Sequence, residues 1–437
     1  MRPVAFLLGS SQLVRFVATG GLMALLARLH NRAQLSPYFL AMAALATVTA
    51  IGVWGTDSLS VMTLREEAGE RRPIILSTIA VRLLITLGSL VPTLWILSLS
   101  LGPGVDFRLW ALYITGSAIA QVFEAVDLRR RAMNDSVPIA IRTGVFLVAT
   151  IARLAFVVSR GVSLPHLLSI GIAESLLGTI VVAAISRNIR PAGRAIEPAL
   201  VGLYLRRGAP LAASFVAYFV YARFDQFVLG RYGSEGSVAS YSLATTVFEF
   251  GIVALVSLSQ AGFPSLVATF RSEPARFWRN SRSLTDLAVG LSVPLAAGVS
   301  VASFAVPLLL GAQYRSVPIL TIIQAPSLVF IALASVRSTY FLASGRQRDL
   351  LVSVAVSAIL SISANIVLVP HFDAYASAAI CTVTQFFSLV ASNLLSHTGR
   401  TFLRFQLDVI RSGRWLRPAA LIGDVRRHRQ SLELATQ

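Results

Sequence analysis

Apolar runs of about twenty residues follow one another along this chain, separated by short segments punctuated with arginine, proline and glycine. A run of that length, coiled as a helix, crosses the hydrocarbon core of a bilayer with every backbone N–H and C=O bonded inside the segment. Twelve candidate spans can be read in this way, at 4–27, 38–62, 75–99, 108–127, 138–159, 163–186, 208–230, 237–263, 284–310, 316–342, 350–369 and 374–397. Composition agrees: 55% of residues are hydrophobic and 13% charged, where a soluble domain carries about a quarter. The expected fold class is an all-α polytopic membrane protein. The first run carries Arg15 in its middle, which a uniformly apolar signal peptide would not, so it is read as a span.

The placement of basic residues tests that count. All 38 basic residues are arginines, for a formal charge of +18. They punctuate the apolar runs and form no single patch, which argues against a nucleic-acid partner. With residue 1 in the cytoplasm, 26 fall in inside segments and six outside, namely Arg28, Arg32, Arg108, Arg160, Arg231 and Arg315. The positive-inside bias therefore puts both termini in the cytoplasm of a multi-pass inner or plasma membrane protein. All outer loops are short, which leaves no room for an extracytoplasmic domain.

The longest inner connection runs from Ser186 to Arg207 and contains Pro191, Gly193 and Pro198. It suggests two six-helix lobes, 1–190 and 208–397, joined by a linker at 191–207 and followed by a basic tail at 398–437. Two outer loops resemble each other: Arg28 precedes Tyr38-Phe-Leu-Ala41 as Arg231 precedes Tyr241-Ser-Leu-Ala244. Repeats of six helices share one orientation and are related by an axis along the membrane normal. In the tail, Leu403, Leu407 and Ile410 recur at helical spacing beside Arg404 and Arg411, as in a helix lying on anionic headgroups.

No enzyme signature is present. A chain without lysine has no P-loop, there is no HExxH, and the five histidines do not cluster with cysteine. The single cysteine, Cys381, excludes an intrachain disulfide and reads as a packing residue. What remains is charge inside the spans, which is costly and marks function by default. Arg82, Glu124, Asp127, Arg142, Asp286 and Arg337 lie near the inner ends and are read as snorkelling or bland. Arg15, Glu174 and Glu249 fall near the midplane, where each must meet a partner or a wet cavity. Arg153, Arg223 and Asp225 lie in the outer third. Arg223 and Asp225, two residues apart, point to different sides of one helix and need different partners.

The run from Asp225 to Gly251, DQFVLGRYGSEGSVASYSLATTVFEFG, resembles the polysaccharide-exporter or O-antigen flippase family of the multidrug/oligosaccharidyl-lipid/polysaccharide (MOP) superfamily. The stretch from Tyr340 to Gln385, with Asn365 and Pro370, is similar to that family's tenth to twelfth helices, and QLSPYFLAMAALATVTAIGV to its first outer loop and second helix. The outer-loop glycine before tyrosine is replaced by Pro37 and Ser240, and the family's cavity lysines are absent. The resemblance implies two lobes in a V, alternating access, and a central cavity lined by helices 1, 2, 7 and 8. On those helices stand Arg15, Asp57, Arg223, Asp225 and Glu249.

The function expected is translocation of a polyprenyl-pyrophosphate-linked glycan by a non-enzymatic flippase, with no cofactor. The driving force stays open between a proton, a sodium ion and the membrane potential. Polysaccharide polymerase or assembly proteins are candidate partners. A cation-coupled multidrug antiporter and a non-transport scaffold of a polysaccharide assembly complex are the alternatives. An antiporter would favour carboxylates over arginines in its cavity.

Overall fold

The computed structural model describes residues 2–66, 71–102, 104–128, 130, 135, 137–160, 164, 166–185 and 196–417. The expected linker up to residue 195 and the tail beyond Arg417 lie outside them. All regular structure among the described residues is helical. In chain order the first helices are α1 (Arg2–Leu29), α2 (Arg32–Val53), α3 (Thr56–Glu66), α4 (Arg71–Ser100) and α5 (Phe107–Val122), the last continued by a 3-10 turn at Phe123–Asp127. They are followed by α6 (Val137–Arg160), α7 (His166–Ile185), α8 (Pro198–Tyr232), α9 (Ser237–Ser272), α10 (Pro274–Ser303) and α11 (Ala305–Leu310). The remainder are α12 (Val317–Gln324), α13 (Ser327–Leu333), α14 (Arg337–Ala343), α15 (Gln347–Leu389) and α16 (His397–Ser412).

Every expected span is met by helix. Among the described residues eight helices or helix runs are long and apolar enough to cross a membrane, and the run Arg348–Leu395 holds the eleventh and twelfth spans together. Their outer faces suit lipid: Trp95 is 65% and Leu308 83% exposed. Lipid is as apolar as leucine, so interior contacts rest on packing, small residues and hydrogen bonds. Serine and threonine hydroxyls accordingly turn back to their own helix, as Thr47 does to the Ala43 carbonyl, or cross to a neighbour, as in the 2.7 Å Ser60–Thr78 bond.

Local chemistry explains several ends. Asn31 caps α2 by accepting from the Gln34 N–H while Gln34 Oε1 accepts from the Asn31 N–H, a reciprocal box. The second span breaks at Trp54 and Gly55, both with positive φ. For tryptophan that conformation is costly, and it is held where the indole N–H donates to the Leu205 carbonyl of α8. Gly208 makes the approach possible, since a Cβ there would lie 2.6 Å from the Trp54 oxygen. The tenth span is interrupted twice, between α12 and α13 and again before α14. The expected break between the eleventh and twelfth spans is a kink at Asp373, with φ 54° and ψ −144° and no intervening loop. Across it the Ser377 hydroxyl donates to buried Asn365 at 2.9 Å.

The chain forms two compact units, Met1–Ala239 and Ser240–Gln437. In the first, α2 packs on α4, α5 and α8, while α1 packs on α6, and α7 on both α5 and α6. The helix of the expected seventh span starts at Pro198, ten residues before 208, and packs with helices that precede it. Its Pro198 sits at the first helical position, where the missing N–H costs nothing, and the Ser77 hydroxyl accepts from the Glu197 N–H just before it. In the second unit α10 packs on α12 and α13, and α15 on both. The weak repeat has a structural counterpart: Tyr38, Leu40 and Ala41 are buried at the entry to α2, and Tyr241, Leu243 and Ala244 at the entry to α9.

Candidate functional site

The first unit gathers charge in its interior through three helix pairs. Asp57, on the first turn of α3, accepts a charge-assisted bond from Arg82 of α4, whose Nε also donates to the Thr56 hydroxyl at 2.9 Å. Asp127, at the end of the 3-10 turn, is clasped by Arg142 of α6, whose Nη2 lies 2.9 Å from Oδ1 and whose Nη1 reaches Glu124 at 3.3 Å. Arg153 of α6 bonds Glu174 of α7 at 2.8 Å. Paired and hydrogen-bonded in this way, charges that would be prohibitive alone are tolerated inside the bilayer. Two glycines of α7 leave room for the guanidinium groups: a Cβ would lie 3.0 Å from Arg142 Nη1 at Gly178 and 3.3 Å from Arg153 Nη2 at Gly171.

Two polar cavities connect these pairs. One of ≈ 180 Å³ is lined by Arg15, Gln121, Glu124, Arg142, Val145, Glu174, Ser175 and Gly178. The other, of ≈ 90 Å³, is lined by Thr49, Gly52, Val53, Asp57, Arg82, Thr86, Ala118, Gln121, Val122 and Glu124. Gln121 and Glu124 border both, so the two are neighbours across the end of α5. Their polar walls suit water, which needs several hydrogen-bonding partners to occupy a protein interior.

The structure places the expected site residues in three groups. Arg15, half-buried on α1, lies on the larger cavity with its guanidinium 5.1 Å from the centre of the Phe146 ring. Such a contact is a cation–π interaction. Asp57 lies on the smaller one. Arg223 and Asp225 stand together on α8 of the first unit, Asp225 buried with Oδ1 accepting from the Gln226 N–H at 2.7 Å. Glu249 is half-buried on α9, in the second unit. Among the described residues neither cavity is lined by Arg223, Asp225 or Glu249.

The snorkelling expected of the long side chains fails for the arginines so read, and the short aspartates are buried with them. Arg82, Arg142 and Arg337 are 5, 8 and 3% exposed, and Asp127 and Asp286 are fully buried. A readable signal was missed. Consecutive helices joined by a short connection run antiparallel, so residues equally far from the connection share one depth. Asp57 and Arg82 stand nine residues before the end of α3 and eleven after the start of α4. Arg153 and Glu174 are mirrored in the same way, seven residues before the end of α6 and eight after the start of α7.

The fold recurs among solved structures at low identity. The chain is similar to lipid II flippase MurJ in an inward closed conformation, with a TM-score of 0.69 and 13% identity, covering 98% of this chain and 97% of that one. It is similar to an inward-facing multidrug resistance MATE family transporter of the MOP superfamily, with a TM-score of 0.68 and 14% identity over 90% and 95% of the two chains. A MOP superfamily transporter from Pyrococcus furiosus, described as having a binding pocket of reversed polarity, gives 0.62 and 13% over 92% and 94%. A search of curated protein sequences finds no match. The fold is thus that of these transporters. A profile of polysaccharide biosynthesis proteins matches residues 25–319, more than half of the sequence, and this multi-pass membrane protein belongs to that family.

Proposed function

We propose that the protein is a flippase that moves a polyprenyl-pyrophosphate-linked oligosaccharide across the cytoplasmic membrane by alternating access, without covalent chemistry of its own. The observation that carries this reading is Arg15 on a polar cavity of a MOP-type fold whose family works in polysaccharide biosynthesis. A guanidinium holds phosphate oxygens in pairs and keeps its charge at every physiological pH. Arg15 and Arg223 are the ligands of the pyrophosphate, while the lipid tail stays in the bilayer. Asp57 orients Arg82 at the cavity edge, Asp225 anchors α8, and Glu249 carries a coupling ion. Both termini face the cytoplasm, as the 26 inside arginines against six outside support. The basic tail rests on anionic headgroups of that leaflet, and polymerase or assembly proteins take up the product.

One observation favours the cation-coupled alternative in part. The larger cavity carries Glu124 and Glu174 beside Arg15 and Arg142, so its formal charge is balanced. Carboxylates in such a place suit a proton or sodium ion. Membership of a polysaccharide biosynthesis family supports a glycan as the substrate, and the ion is read as the driving partner.

The test is gene deletion and complementation, with lipid-linked glycan assayed on each face of the membrane and protein level controlled. Deletion traps the glycan on the cytoplasmic face, and wild type restores export. Arg15→Lys and Arg223→Lys retain part of the activity, whereas the alanine and glutamate variants retain on the order of a hundredth or less, as loss of a charged, desolvated contact implies. Full export in the deletion strain refutes the function. Full activity of Arg223→Ala removes that residue from the pathway.

A further inference from the structure

The C-terminal helix α16 has two working faces. Its inner face carries Gly399, Phe402, Gln406 and Val409, all buried. Phe402 stacks on Tyr340 with ring centres 5.8 Å apart. Gln406 donates to the carbonyls of Leu333 and Leu389 at 3.2 and 3.1 Å and accepts from Asn393 at 2.9 Å. Asn393 in turn accepts from the buried guanidinium of Arg337 at 2.8 Å. On the same side of the unit Arg282 of α10 donates to the Asp408 carbonyl at 3.3 Å, and Arg414, just past the helix, lies 3.8 Å from Asp286. A helix bolted at this many points cannot roll about its axis, so the direction of its other face is set by the fold.

At ~100° per residue, Ile410, Leu403 and Leu407 lie roughly 80–140° around from Phe402, and Arg400, Arg411 and Arg404 roughly 160–200°. Leu407 and Ile410 are exposed, as are the three arginines, and Leu416 is exposed beyond the helix end. An apolar stripe thus runs beside a stripe of three cations, with Asp408 as the helix's single acid. The twelfth span ends only a few residues earlier, so the chain delivers this face to the membrane boundary. An apolar ridge at the depth of the acyl boundary with arginines beside it matches a charged lipid surface in both polarity and sign.

We infer that the outer face of α16 is a docking surface for anionic phospholipids, with Leu403, Leu407 and Ile410 at the acyl boundary and Arg400, Arg404 and Arg411 on the phosphates. This deepens the reading of the basic tail given above and rests on it. Because the inner face grips α10, α13, α14 and α15, lipid bound outside braces the end of the second unit. Nothing in the inference depends on the transported glycan.

The test uses the full chain with Cys381→Ser and Leu407→Cys, labelled with an environment-sensitive fluorophore and reconstituted in phosphatidylcholine vesicles. Brominated phosphatidylglycerol or brominated phosphatidylcholine is titrated in, and quenching gives their relative association constant. The expected preference is for phosphatidylglycerol, by up to roughly fivefold per engaged arginine. It falls to parity in Arg400→Gln/Arg404→Gln/Arg411→Gln and largely survives the triple lysine variant. The replaced side chains are exposed, so the variants remain extractable and folded. Equal quenching by both lipids overturns the headgroup site while leaving the tail at the interface. Quenching by neither overturns the interface reading as well and points to a protein or a second copy on this face. Preference that persists in the glutamine variant overturns the role of the three arginines.

Discussion

Arg142 in the first unit and Arg337 in the second are both buried guanidinium groups, yet their described surroundings differ. Arg142 is met by the carboxylates of Asp127 and Glu124, with the Thr179 hydroxyl at 3.3 Å. The described partners of Arg337 are the Asn393 amide oxygen and the hydroxyls of Ser353 and Ser392, with the Phe341 ring 5.1 Å away. A carboxylate can take up a proton or hold a cation by charge, and a neutral amide does not titrate. Around Arg142 the first unit thus sets exchangeable carboxylates beside a cavity, whereas at Arg337 the described contacts are neutral dipoles that, through Asn393 and Gln406, tie the guanidinium to a whole helix.

The strongest way to break this contrast is Arg142→Leu. It takes the guanidinium from Asp127, whose side chain is 1% exposed, and removing one partner of a buried pair costs about 3–5 kcal/mol. A thermal unfolding series in detergent should show the loss, and Arg142→Leu/Asp127→Leu should recover most of it. No recovery in the double variant would mean that packing, and not charge, dominates the site.

Arg337→Leu is expected to cost less, about 1–3 kcal/mol, the range for leaving neutral polar groups short of a bond. Ser353 and Ser392 keep the Ser388 carbonyl as an acceptor, which softens the effect further. A loss in the same melting assay larger than that of Arg142→Leu would erase the distinction between the two units.

The smallest stability effect is expected for Asp57→Asn, because the Asp57 side chain is 43% exposed and solvent screens the pair with Arg82. The change should stay below about 1 kcal/mol. Export measured in the complementation assay should fall more than stability does if the smaller cavity takes part in transport. Parallel small losses in both would assign the Asp57–Arg82 pair to structure.

Much of the fold was legible in the sequence, because the bilayer imposes a span length and arginines punctuate the runs between spans. The resemblance of Tyr38 to Tyr241 was also legible, since both are buried where a helix begins. The ion pairs were only half legible. Their members stood out as charges in apolar runs, and the mirror spacing of 57 with 82 or 153 with 174 about a short connection encodes their contact. Depth counted along a single helix hid that, because snorkelling explains one arginine at a time while pairing is a property of two helices.

By itself the sequence determined that this is a polytopic helical membrane protein, roughly where its apolar spans lie and which charges are costly within them, since those follow from length, hydropathy and charge along one dimension. Only the tertiary structure decided that Arg15 shares a cavity with Glu124, Arg142 and Glu174, that the second span breaks at Trp54 against α8, and that α16 turns Phe402 inward and Leu407 outward. Each of these depends on which neighbour a helix face meets, and helical periodicity fixes the faces without naming the neighbour.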